Sequence, residues 1–321
     1  MSLSEFDLIK QYFQKPFKDS PDIRCGIGDD AAVVTVPPGM ELALSMDTLV
    51  AGVHFTGKTA PEDIGYKALA VNLSDLAAMG AEPRWATMSL TMPDSDPAWL
   101  EQFMTGFNTL AQEYSVILIG GDLSRGPLSI TIQIHGWLPA GTAITRNGAR
   151  ADGLIYVSGT LGDAGLALKI LANQASISGE HKMYVVNRLN RPRPRVDLGL
   201  ALRHIATSAI DISDGLIADL GHILEASKTW ALLNPDKLPL SDAMRCSDMT
   251  VENKWETAAT SGDDYELCFN IPPDKKTVLE NNKKIDCAIT CIGKITHEEE
   301  IRWVRTDGVV YKPPSSGYRH F

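Results

Sequence analysis

Gly26-Ile27-Gly28-Asp29-Asp30-Ala31-Ala32-Val33-Val34 sets two adjacent carboxylates between glycines and an apolar, β-branched run. Read locally, the run from Ala31 predicts a strand entering a core, with Asp29 and Asp30 held at its mouth. Two like charges beside a core are costly unless a cation or hydrogen-bond donors meet them. Taken alone, Gly-Asp-Asp is equally ordinary turn chemistry. The pattern recurs, however: Asp47, Asp75, Asp122, Asp211, Asp214, Asp263 and Asp264 each stand where a small or polar residue meets an apolar run. Such repetition points to anions bound through metal ions.

The totals agree with this chemistry. A chain of 321 residues has room for two domains, each with its own core. Of its 40 acidic residues, 25 are Asp, the shorter acid, which divalent-cation sites favour because little side-chain entropy is lost on binding. A net charge of −10 argues against a nucleic-acid backbone or an anionic membrane as the main partner. The five cysteines are odd in number, and the nearest pair, Cys287-x-x-x-Cys291, has neither zinc nor redox spacing. Reduced thiols in a cytoplasmic protein are expected. The acidic start, Met1 to Asp7, is no signal peptide, and no uncharged apolar run approaches the length of a membrane span.

Along the chain, periodicity predicts a helix over 4–14 with Ser4 as its N-cap, then a strand over 41–45 ending at Met46-Asp47. Pro61 followed by Glu62 and Asp63 starts a helix over 61–79. Asn72 and Asp75 lie three apart on one face of that helix, amid Ala and Leu. Residues 85–92 and 128–138 alternate as strands, 97–114 read as an amphipathic helix, and 115–119 form an apolar strand running into Gly120-Gly121-Asp122. The Gly-, Pro- and Arg-rich stretch 139–153 divides the chain into domains at 1–140 and 150–321. In the second half a strand at 154–158 leads through a Gly-rich turn at 159–165 to a helix at 166–172; the turn reads as a helix start rather than a phosphate site. Arg191-Pro-Arg-Pro-Arg195 reads as a rigid basic connector, and Ser261-Gly-Asp-Asp-Tyr265 repeats the opening logic before another strand. Helices and strands intermix without strict alternation, so the expected class is mixed α/β with antiparallel pairing.

Gly52-Val-His-Phe-Thr-Gly57-Lys58-Thr59 satisfies the spacing of a nucleotide-binding P-loop. Against that reading, the helix start signals begin only at Pro61, and bulky His54 and Phe55 stand where backbone amides would wrap a phosphate. A P-loop also needs parallel βαβ units.

Three motifs stand in the first half: Gly26-Ile-Gly-Asp-Asp-Ala-Ala32, Ser45-Met-Asp-Thr-Leu-Val-Ala-Gly-Val-His-Phe55 and Lys67-Ala-Leu-Ala-Val-Asn-Leu-Ser-Asp-Leu-Ala-Ala-Met-Gly-Ala81. Gly120-Gly-Asp122, Ser158-Gly-Thr-Leu-Gly-Asp163, Arg191 to Arg195, Asp211-Ile-Ser-Asp-Gly-Leu216, Ser261 to Leu267 and Gly317-Tyr-Arg-His-Phe321 follow. This ordered set resembles the thiamine-monophosphate kinase family. The resemblance implies the two-domain aminoimidazole-ribonucleotide-synthetase-like fold, with the N-terminal sheets of two protomers pairing into a barrel in a homodimer. It implies transfer of the γ-phosphoryl of ATP onto thiamine monophosphate. By similarity, Asp30, Ser45, Met46, Asp47, Asp75, Asp122, Asp211 and Asp214 would bind several Mg²⁺ ions. Gly121, Asp122, Arg146 and Ser213 would contact ATP, Arg146 also stabilising transition-state charge, and no residue serves as a general base. His54, Asp263 and Tyr318 would line the thiamine phosphate site. Met46 replaces the family's frequent Thr, Leu123-Ser124 the usual Thr-Thr, and Asp263 the common Glu. The alternatives are a sibling ATP-dependent synthetase of the same fold, a P-loop NTPase, and a non-enzymatic metal-binding protein.

Overall fold

The fold, in a computed structural model, is described for residues 5–14 and 20–313. It divides into two compact units, one made of the described residues up to Leu76 with Ala81–Gly141, the other of Ala77–Gly80 with the described residues from Thr142 onward. No helix among the described residues is long and apolar enough to cross a membrane.

The first unit opens with α1 (Glu5–Leu8), continued by a π-helical turn at Ile9–Phe13, so the single helix expected over 4–14 is split. Next come β1 (Ile23–Cys25), β2 (Val33–Val34), β3 (Met40–Val50), α2 (Pro61–Ala78), β4 (Glu82–Met92), α3 (Pro97–Glu113), β5 (Ile117–Arg125) and β6 (Ser129–Pro139). Four strands form one sheet in the order β3-β6-β4-β5. β3 pairs with β6 antiparallel over its whole length, from Met40 opposite Pro139 to Val50 opposite Ser129. β4 also pairs antiparallel with β6, whereas β4 and β5, joined through α3, pair parallel.

Packing explains the lengths. Leu69, Leu73, Phe103 and Phe107 are fully buried on α2 and α3, and burying each stabilises the fold by about 2–3 kcal/mol. The two helices touch at the backbone: a Cβ on Gly106 would lie 1.8 Å from the Glu62 carbonyl oxygen. Asp96 caps α3 by accepting from Ala98 N at 3.0 Å and Trp99 N at 3.1 Å. Trp85 and Trp137 meet edge to face at 5.4 Å, and Asp22, buried, accepts from Trp85 Nε1 at 3.0 Å.

Three expected strands are corrected here. The run from Ala31 yields only the two-residue β2, whose Val33 is exposed, so it does not carry Asp29 and Asp30 into a core. β3 continues past Asp47 to Val50, and β5 runs on through Gly120-Gly121-Asp122 to Arg125. In both cases the partner strand supplies hydrogen bonds that local propensity does not report.

The second unit contains β7 (Leu154–Ser158), α4 (Asp163–Leu171), α5 (Gly179–Asn190), α6 (Val196–Leu202), β8 (Ser208–Asp211), α7 (Leu216–Ser227) and β9 (Trp230–Leu233). It continues with α8 (Asp242–Cys246), α9 (Val251–Thr260), β10 (Leu267–Ile271), α10 (Lys276–Glu280), β11 (Ile289–Thr296), β12 (Arg302–Val304) and β13 (Val310–Tyr311). Seven strands make one sheet in the order β13-β12-β9-β11-β7-β10-β8, antiparallel except between β12 and β9. Ile155, Val157, Ile210, Leu220, Ile223 and Ile292 belong to its core. β8 ends at Asp211 and β10 begins just after the acidic pair Asp263-Asp264, and the two strands are neighbours.

Candidate functional site

In the first unit, the alternation of β3 sorts its side chains. Leu44 and Met46 are exposed, while Ser45, through its hydroxyl, and Asp47, through its backbone N, meet α2. Ser45 Oγ donates to Asp75 Oδ2, Asp47 N donates to Asn72 Oδ1 at 3.2 Å, and Asn72 Nδ2 donates to Ala68 O at 3.0 Å. Three predicted residues are thus brought together, and Asn72 is the fully buried strut between strand and helix. Burial, then the nearby Asp75 charge, raise the Asp47 carboxyl to about 6. A cation would relieve that repulsion, so this donor set fits a hard metal ion. The exposed Met46 side chain lies off this cluster, leaving its backbone carbonyl as its only hard donor.

A cavity of about 830 Å³ in the same unit is lined by Asp29, Asp30, Gly121 and Asp122, with Phe13 and Met88 among its apolar walls. Gly121 has φ +151°, and a Cβ there would lie 1.8 Å from the Met88 carbonyl oxygen, so only glycine lets β5 lie against β4 at this point. Asp122 accepts from Ser124 Oγ at 2.6 Å. Among the described residues, no three His, Cys, Asp or Glu side chains stand together as a ready-made metal cage. Mg²⁺ commonly takes one or two carboxylates and completes its shell with substrate phosphates and water.

The turn after β3 carries His54, whose Nδ1 accepts from Val50 N at 3.0 Å. In the neutral ring the proton therefore sits on Nε2, which makes His54 a donor at that atom. Lys58 is exposed, α2 starts at Pro61 rather than at Gly57-Lys58, and β3 lies in an antiparallel pair. These facts remove the P-loop reading. Lys58→Ala is expected to leave kcat/KM within about twofold, the range of a surface substitution; a steady-state assay that found activity abolished would overturn this.

In the second unit, two acidic loops run side by side. Asp263 N donates to Ser213 O at 2.9 Å, Tyr265 N to Ile212 O at 2.8 Å, and Ile212 N to Glu266 O at 2.7 Å. Asp211 is buried, while Ser213, Asp214 and Asp263 are half-buried. The loop at 211–215 is held from within by Asp219, whose Oδ2 accepts from the backbone N of Ser213, Asp214 and Gly215, each at 3.0 Å. Burial pushes the Asp219 carboxyl up to about 7, against the pull of those donors. The nest at the start of α7 is thereby filled by the protein's own carboxylate. Sequence reasoning missed Asp219; its signal was a carboxylate four residues after Gly215, facing back onto the turn.

The loop at 261–265 is strained. Asp263 has φ +69° and Tyr265 φ +50°, each costing on the order of 1 kcal/mol. Asp264 between them is fully buried, and burial drives its carboxyl well above the usual range. Its Oδ2 accepts from Gly162 N at 2.7 Å, so the Gly-rich turn before α4 already holds a carboxyl group of the protein's own. The expected start of that helix at 166 is corrected to Asp163, directly after the left-handed Gly162, where Asp163 accepts from Thr160 Oγ1 at 2.6 Å ahead of the first turn.

Arg191 to Arg195 is not merely a connector. Arg195 donates Nε and Nη2 to the two oxygens of Glu266, both at 2.6 Å, and Arg188 adds Nη2 at 2.9 Å. Ser158 Oγ donates to Glu266 at 2.6 Å. Arg188, which burial alone would deprotonate more easily, is held charged by Glu266, Asp264 and Asp163. Arg146 is exposed on a 3₁₀ turn at Arg146–Gly148, and Tyr318 lies outside the described residues.

The family model "AIR synthase related protein, N-terminal domain" matches residues 28–138. The thiamine-monophosphate kinase of Salmonella typhimurium is 46% identical over 325 residues, covering 100% of this chain and 99% of that protein. The crystal structure of thiamine-monophosphate kinase from Stenotrophomonas maltophilia superposes with a TM-score of 0.85 at 41% identity, covering 91% of this chain and 93% of that one. AaThiL complexed with AMPPCP and TMP superposes at 0.77 with 31% identity, covering 89% of each chain. With two α/β units, acidic loops in both, and this likeness along its whole length, the chain belongs to the thiamine-monophosphate kinase family, within the AIR synthase-related fold.

Proposed function

We propose that the protein phosphorylates thiamine monophosphate to thiamine diphosphate at the expense of ATP, by direct, in-line, Mg²⁺-assisted transfer. The observation that carries this reading is 46% identity along the entire chain to a thiamine-monophosphate kinase. AaThiL, bound to AMPPCP, an ATP analogue, and to TMP, supports it at 31% identity.

The attacking group is a phosphate oxygen with a second pKa of about 6, already mostly ionised at neutral pH, so no general base is required. What the chain must do is hold two polyanions in line. Asp30, Ser45, Met46 (through its carbonyl), Asp47, Asp75 and Asp122 of the N-terminal domain (1–140), and Asp211 and Asp214 of the C-terminal domain (150–321), would hold Mg²⁺. When bound, these ions supply neutralisation and alignment of phosphate charge. Gly121, Asp122, Arg146 and Ser213 would contact ATP, with Arg146 offsetting charge that develops during transfer. His54, donating from Nε2, would orient the thiamine phosphate together with Asp263 and Tyr318. The reaction would take place in the cytoplasm.

An assay containing thiamine monophosphate, ATP and Mg²⁺ tests the reading. Equal amounts of thiamine diphosphate and ADP, both abolished by a chelator, are expected. ADP without thiamine diphosphate would indicate a sibling synthetase, and no turnover a binding protein.

A homodimer would complete the N-terminal domain. Leu42, Leu44, Met46 and Val50 project from one face of β3 and are 39%, 54%, 61% and 37% exposed. Such an apolar stripe is uncommon on a monomer and suits a sheet-to-sheet partner. Leu44→Glu is expected to shift the protein from dimer to monomer in analytical ultracentrifugation. An unchanged sedimentation coefficient would refute this use of the stripe.

A further inference from the structure

We infer that Arg195, with Arg188 beside it, is a positioning residue for Asp263: its guanidinium fork fixes Glu266, and Glu266 anchors the strained loop that presents Asp263. The inference rests on the proposal above that Asp263 contacts thiamine monophosphate. Local chain preference does not hold this loop. Asp263 and Tyr265 both occupy the left-handed region, at φ +69° and +50°, and such residues relax unless their surroundings over-determine them. What surrounds them is buried charge. Glu266 is fully buried and accepts from Arg195 Nε and Nη2 at 2.6 Å each, from Arg188 Nη2 at 2.9 Å and from Ser158 Oγ at 2.6 Å. Its main-chain carbonyl accepts from Ile212 N at 2.7 Å, tying the loop to its acidic neighbour. Asp264, between the two left-handed residues, accepts from Gly162 N at 2.7 Å, and its carbonyl accepts from Arg188 Nη2 at 3.4 Å. Beside its main-chain bonds to Ile212 and Ser213, the loop is thus anchored through the two arginines, Ser158 and the turn before α4.

Lysine at 195 keeps the charge but replaces a planar fork by a single point contact. Without the fork, the loop can relax and carry the Asp263 carboxylate away from its bound partner. Arg195→Lys is expected to raise KM for thiamine monophosphate about tenfold while KM for ATP stays within about twofold, since a shift of about 1 Å suffices for such losses. The dissociation constant of thiamine monophosphate, titrated calorimetrically in the presence of AMPPCP and Mg²⁺, should rise in parallel. The double variant Arg195→Lys/Asp263→Asn should bind no more weakly than Asp263→Asn alone, because both changes remove one interaction. If Arg195→Lys lowers the melting temperature but leaves both KM values unchanged, the arginine is only structural and the inference falls. If Asp263→Asn itself leaves KM unchanged, the substrate contact falls first and the inference with it. Should Arg195→Lys not fold, Arg188→Lys, which leaves the fork in place, is expected to raise KM for thiamine monophosphate about threefold by the same route, and an unchanged value would overturn the inference.

Discussion

Asp47→Asn should abolish phosphoryl transfer and, in the metal-free protein, raise the melting temperature. The first effect follows from the donor set. Asp47 stands with Ser45 and Asp75 where strand β3 meets α2, and an amide neither neutralises a cation nor replaces a carboxylate ligand. Loss of one such electrostatic contact lowers kcat by on the order of 10²–10³-fold. Asp214→Ala in the second acidic loop is expected to act alike.

The second effect follows from the sign of the shift. The Asp47 carboxyl rises from 3.8 to about 6 in the folded protein, because burial and Asp75 disfavour its charge. Between those values the folded state binds more protons than the unfolded state, so its stability falls as pH rises through that window. Above about pH 6 the ionised carboxylate costs up to about 3 kcal/mol. Asparagine removes that cost while leaving the Asp47 N to Asn72 bond in place. Melting curves at pH 5 and pH 8, with chelator and with Mg²⁺, check both parts. At pH 8 the variant should melt higher than the parent under chelation, and Mg²⁺ should stabilise the parent more. A variant that melts lower at pH 8 without metal would show that the charge is welcome in the fold.

Glu266→Ala is expected to have the largest effect on stability. Its carboxylate is fully buried and joins Arg195 and Arg188, whose side chains are each only 11% exposed. Removing one partner of a buried ion pair costs about 3–5 kcal/mol, because the remaining charges keep their desolvation penalty without its compensation. Here one deletion removes the carboxylate shared by two guanidinium groups and the Ser158 hydroxyl. Chemical denaturation should show a midpoint shift of this size, and Glu266→Gln, which keeps the shape, should lose less. A cost under about 1 kcal/mol for the alanine variant would mean that the arginines find water or other partners.

Much of the site was legible because its chemistry is local. Short acids beside a glycine and near an apolar run marked Asp30, Asp122, Asp214 and Asp263 as candidates without reference to any contact. The helices from Pro61 and Pro97 were readable for the same reason, through N-terminal proline and apolar spacing. What escaped is non-local. Glu266 and Asp219 look like ordinary acids in sequence, and the arginines at 188 and 195 like surface charge. Only the pairing of β8 with β10, which sets Asp211 opposite Leu267, makes neighbours of loops about fifty residues apart in the chain. The Ala31 run failed in the opposite direction: its β-branched residues promised a strand, but only the short, irregular β1 pairs with it.

By itself, then, the sequence determined the family, the helix starts and the residue types able to hold metal and phosphate, because these depend on side-chain chemistry and spacings of a few residues. The tertiary structure alone decided which carboxylates stay accessible and which are buried against other parts of the chain. Asp263 and Asp264 are adjacent in sequence, yet Asp264 is buried on Gly162 N while Asp263 stays half-buried. Their difference is desolvation and partners, and both are set by strands and turns distant in the chain.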